Sequence, residues 1–149
     1  SHVRLDQQAL QELGVSVGSD RVPDHLQILG VEADSGIARA RLLDDKNYSG
    51  TLTDHAMAQI RDFAAIRAAR LQEPIPVWVS LPDGTALTGI HVEEVVITFT
   101  RPEVLGIGEN SSFVREMLRR DVTFRVHDSN GRLQPIRTQR DLDQMLATL

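Results

Sequence analysis

The chain has 149 residues, with 16 basic and 21 acidic side chains for a formal net charge of −5, and 41% of its residues are hydrophobic. This fits one ordinary globular domain over residues 1–149, neither disordered nor fibrous. There is no cysteine, which excludes disulfides, thiolate metal sites and thiol catalysis, and the acidic balance with 4% aromatic residues argues against a polyanion binder or a base-stacking platform.

The first expected element is a short helix from Asp6 to Leu13, capped by Asp6 and stopped at Gly14, followed by a polar loop over Val15 to Asp24. Leu26 to Val31 and Ile37 to Leu43 read as strands joined by Ala33-Asp34-Ser35-Gly36, a tight-turn sequence. In the second of them Ala38, Ala40 and Leu42 alternate with Arg39 and Arg41, the pattern of a strand wet on one face.

Asp44 to Gly50 reads as a loop. A helix is expected from Leu52 to Leu71, capped through Thr51 and Asp54, with Ala56, Ile60, Phe63 and Ala64 inward and Arg61, Arg67 and Arg70 in water. Pro74 and Pro76 end it. A hairpin over Val77 to Phe99 turns at Leu81-Pro82-Asp83-Gly84, and Glu93-Glu94 breaks the alternation of its return strand, which predicts a bulge or bend there.

Arg101 to Glu109 reads as a loop and Ser112 to Arg120 as a short helix. A last hairpin pairs Val122 to Val126 with Leu133 to Arg137, Pro135 marking an edge strand. The terminal helix follows, capped by Thr138 and Asp141, with Leu142, Met145, Leu146 and Leu149 on one stripe. The expected fold is α+β, in the order α-(ββα)3. About six antiparallel strands would lie under the helices or curl into a partial barrel.

Few residues suggest chemistry. His91 and Glu93 share a strand face by alternation, and with His127 they make up a two-His, one-carboxylate metal set, the basis of an enzyme alternative. No serine sits in a nucleophile elbow, and Gly106-Ile107-Gly108 lacks the remaining glycine of a dinucleotide loop. Residues 115–140 carry seven arginines against Glu116, Asp121 and Asp128. Arg115, Arg119, Arg120 and Arg125 are therefore the candidate anion, nucleotide or partner patch, while an acidic chain is not expected to bind nucleic acid.

No family resemblance runs through the chain. The stretch Phe124 to Leu142 resembles the acidic motif of PB1 domains only at Asp128, Gly131, Asp141 and Leu142, and Arg115 with Arg119 has only the spacing of a PilZ-type arginine arm. The expected function is a non-catalytic binding or regulatory module working through protein contacts, without a cofactor. It is expected as a homodimer that covers Met145, Leu146 and Leu149. Lys46 is the single lysine among 16 basic residues, which suggests a GC-rich bacterial genome. No apolar run reaches membrane-span length, and the cytoplasm is the expected compartment, with the periplasm also compatible. Ser1-His2 reads as a tag remnant.

Overall fold

The computed structural model describes residues 3–12, 24–48 and 50–149. Among them the chain runs β1 (Val3–Asp6), α1 (Gln7–Glu12), β2 (His25–Val31), β3 (Ile37–Lys46), α2 (Asp54–Arg70), β4 (Ile75–Ser80) and β5 (Ala86–Phe99). A 3-10 turn (Pro102–Gly106), α3 (Gly108–Arg119), β6 (Val122–His127), β7 (Leu133–Ile136) and α4 (Gln139–Leu146) complete it. The strands hydrogen-bond in the order β1-β2-β3-β5-β6-β7, with β4 on β5, so the sheet is open and not a barrel. The pairs β1–β2, β2–β3, β4–β5 and β6–β7 are antiparallel.

The α+β class holds, and the expected order changes at two points. Asp6 ends a strand before it caps α1, its Oδ1 accepting from Ala9 N at 2.8 Å. The 3-10 turn then stands where a loop was expected, and α3 starts four residues earlier than Ser112. The predicted stop at Gly14 and most of the loop after it lie outside the described residues.

Two compact units divide the chain, Ser1–Leu43 with Ala65–Val95, and Asp44–Ala64 with Val96–Leu149. In the first, Leu26 and Ile28 of β2 and Ala38, Ala40 and Leu42 of β3 are buried, as alternation requires of a half-covered strand. On the other phase of β3, Arg39 is exposed as expected and Arg41 is half-buried, and both meet carboxylates. Arg39 lies 3.5 Å from Glu93, and Arg41 Nε donates to Glu94 Oε1 at 2.6 Å and Nη1 to Gln27 Oε1 at 3.3 Å.

The pair Glu93-Glu94 therefore interrupts the apolar pattern because each carboxylate has an arginine waiting. Strand β5 spans Ala86–Phe99 through both residues, its burial changes phase there, and Val92, Val95 and Ile97 are all buried. Register irregularities also lie at Ile28/Gly30, where β2 pairs β3, and at Pro76/Val79, where β4 pairs β5. Arg67 and Arg70 also leave their expected place in water, donating to Glu93 O at 3.2 Å and to Pro74 O at 3.5 Å.

Gly36 closes the β2–β3 turn at φ +76°, and an added Cβ would stand 3.1 Å from Ala86 O and 3.2 Å from Thr88 Cγ2. Both the left-handed backbone and the close approach require glycine there. Thr88 fixes the turn, donating from N to Gly36 O at 2.9 Å and from Oγ1 to Ser35 O at 2.6 Å.

In the second unit, the residues expected as a loop after Leu43 continue β3 through Lys46. Thr53, not Thr51, caps α2, its Oγ1 accepting from Ala56 N at 3.1 Å. Ala56, Ile60, Phe63 and Ala64 are buried on this helix as the spacing predicts. Phe99 and Phe124 stack with centroids 5.8 Å apart and planes 7° apart.

Helix α3 buries Phe113, Val114, Met117 and Leu118. On α4, Thr138 and Asp141 form the predicted reciprocal capping box, and Leu142 is fully buried.

Candidate functional site

Site residues in the first unit are placed by β4 and by two hairpin turns. Strand β4 has the sequence Ile-Pro-Val-Trp-Val-Ser without a charge, and it pairs with β5 alone among the described strands. Ile75 and Val77 are buried on one phase, while Pro76, Trp78 and Ser80 take the other. Trp78, the chain's single tryptophan, is 85% exposed.

A bare tryptophan leaves a large apolar surface in water, and an isolated folded chain gains nothing from it. Little in the sequence marks Trp78 as exposed, because β4 is uncharged and apolar up to Ser80. The available signal was Pro76 and Ser80 at two residues on either side, which share the tryptophan's phase.

Two clefts adjoin the turns of this unit. One, of about 470 Å³, lies between the two hairpin ends, with Gly30, Glu32 and Gly36 on one side and Leu81, Asp83 and Thr85 on the other. Asp83 is an exposed carboxylate held below its ordinary range, first by the backbone N–H of Thr85, which donates to Oδ1 at 2.9 Å. The other cleft, of about 460 Å³, is lined by Glu32, Arg39, Leu71, His91 and Glu93 among others.

The second cleft brings the predicted pair His91 and Glu93 together. His91 Nδ1 stands 3.2 Å from Arg70 O, and a proton donated there leaves Nε2 as the ring's acceptor. Glu93 faces Arg39. His127 belongs to the second unit, at the end of β6. Among the described residues no three His, Asp or Glu side chains gather as a metal-binding group.

The arginines of the second unit are already engaged to different degrees. Arg115 donates to Asp143 Oδ1 at 2.7 Å and to Gln139 Oε1 at 3.0 Å, so it ties α3 to α4. Arg125 lies on β6 and is half-buried, while Arg119 and Arg120 end α3 in the open. The acidic residues that resemble a PB1 motif are likewise used locally. Asp128 accepts from Asn130 N, Arg132 N and Gln134 Nε2, and the Gln134 amide chiefly holds its carboxyl below the ordinary range.

Of the terminal stripe, Leu146 and Leu149 lie against the 3-10 turn. A Cβ at Gly106 would be 3.8 Å from Leu146 Cδ2 and 3.3 Å from Leu149 Cδ1. Met145 and Leu146 are half-buried and Leu149 is 55% exposed. The chain thus covers part of this stripe itself.

No helix among the described residues is long and apolar enough to cross a membrane. Set against protein-family models, curated proteins and solved structures, the chain matches none of them.

Proposed function

We propose that the chain is a non-catalytic binding module that works through protein contacts, with the Trp78 face of β4 as its contact surface. The observation that carries this reading is the exposure of Trp78 at 85% on an uncharged strand with one partner strand. Tryptophan is the side chain most enriched where a few residues supply most of an interface's binding energy.

The test is photo-cross-linking inside cells of the source organism, from a benzophenone side chain placed at Ser80. Protein adducts should form and should be lost with Trp78→Ala. Adducts that persist unchanged in Trp78→Ala overturn the reading.

A second contact is proposed at the chain's end. Among the described residues the exposed large apolar side chains are Trp78, Leu133 and Leu149, the last two at 46% and 55%. A homodimer through the terminal helix or the last hairpin would cover both leucines. Light scattering across a dilution series should give a dimer that removal of Asp143 to Leu149 dissociates. A monomer at high micromolar concentration overturns it.

The enzyme alternative, on His91, Glu93 and His127, rests on His91 and Glu93 lining one cleft. Thermal stabilisation by a divalent metal, lost in His91→Ala, would carry that reading instead. The nucleic-acid alternative keeps Arg119 and Arg120 as its open groups, and it requires duplex binding that weakens steeply with salt.

A further inference from the structure

Trp78 lies on a strand whose second edge has no strand against it among the described residues. An open edge presents unpaired N–H and C=O groups, and a folded protein ordinarily blunts it with charges, proline or a bulge. Here the blunting lies at Pro76 and at the middle of the strand, and no charge is used. Pro76 lacks an N–H, and the register shift falls between Pro76 and Val79. Val77 to Ser80 carries no charge at all.

Electrostatics decides between occupants of this edge. The unit that contains β4 carries six basic against ten acidic side chains, net −4, whereas the other carries ten against eleven, net −1. Glu73 precedes β4 and Asp83 follows it, and both are exposed. A second copy pairing antiparallel about Trp78 sets the Glu73 end of one strand against the Asp83 end of the other, at both ends of the ladder. Like charges so placed destabilise strand pairing. An added strand with cationic ends meets opposite charge at both ends instead, and a lysine or arginine near the ring also gains from its face.

We propose that β4 takes up an extended segment of a partner protein as an added strand, apolar where it crosses Trp78 and carrying lysine or arginine at both ends. The proposal deepens the binding-module reading and rests on it. Main-chain hydrogen bonds would supply affinity, and Trp78 with the flanking acids would supply selectivity.

The probe is a display library of random peptides about 12 residues long, enough to span β4 at roughly 3.3 Å per residue. It is selected on the full chain and counter-selected on Trp78→Ala. The expected binders are Trp78-dependent, enriched in Lys and Arg at both ends, and they move Trp78 emission to the blue. The double variant Glu73→Lys with Asp83→Lys should select acidic ends instead. Methylating alternate backbone amides of the best peptide should weaken it by about ten-fold or more, since that removes ladder donors without changing side chains.

Trp78-dependent binders with acidic or neutral ends, or indifferent to methylation, overturn this inference and leave the broader reading standing. A library that yields no Trp78-dependent binder overturns both.

Discussion

Asn110 is completely buried, and its amide makes three hydrogen bonds within one small region. Its Oδ1 accepts from Leu52 N at 2.9 Å, and Nδ2 donates to Val104 O at 2.9 Å and Gly50 O at 3.0 Å. It pins the chain before α2 to the 3-10 turn and acts as a clamp. Asn110→Ala leaves three buried or half-buried backbone groups without it, and each such group costs about 1–3 kcal/mol. We expect a loss of roughly 3 kcal/mol in urea unfolding. A change below about 0.5 kcal/mol, the scale of a surface substitution, would show that the clamp contributes nothing. A comparable case is Lys46, whose Nζ lies 2.7 Å from Asp44 Oδ2 and bonds Gln59, with side chains 11% and 3% exposed for Lys46 and Asp44. Lys46→Met withdraws the cation from a buried carboxylate and should cost about 3–5 kcal/mol. Adding Asp44→Leu to that variant should recover a large part of the loss, because the charge that needed the lysine is gone.

Helix α4 was the element most legible in the sequence. Its capping residues and the Leu142 to Leu146 part of its stripe are local features, while the helix ends at Leu146 and leaves Leu149 beyond it. Thr138 and Asp141 bond each other's backbones as the spacing requires. Thr138→Ala should cost about 1 kcal/mol in thermal or urea unfolding. The inward stripe of α2 and the antiparallel hairpins were legible for the same reason, since period and turn chemistry are written in adjacent residues. What was not legible depended on partners distant in sequence. Asp44-Asp45-Lys46 reads as a polar loop until Gln59 and the ion pair make it the end of β3. Arg101 to Glu109 reads as a loop until Asn110 is found holding Gly50 and Leu52. The site divides in the same way: His91 and Glu93 were placed together by alternation, whereas the exposure of Trp78 follows from which strands pair.

Among the described residues, three aspartates (exposed Asp83 and half-buried Asp128 and Asp141) have carboxyl groups lowered from 3.8, each through donors that favour the charged form. For Asp141 the first of these is the Arg137 backbone N–H. A native value below the unfolded one means that the unfolded chain binds protons first as the pH falls. The stabilisation is therefore full above about pH 4 and drains away as the pH drops through the lowered values. The urea midpoint should accordingly fall with acid in that window. Asp141→Asn should be less stable at neutral pH and show a shallower acid slope. An acid slope unchanged in Asp141→Asn would assign the loss to other groups. One residue also fixes how the folded surface meets chemical reagents. Because Lys46 is the single lysine of these 149 residues and its amine is held against Asp44 and Gln59, the folded chain offers acylating reagents no freely exposed lysine. Acylation at Lys46 would then proceed only as fast as the end of β3 opens, so the modification rate of one amine becomes a clock for that local unfolding.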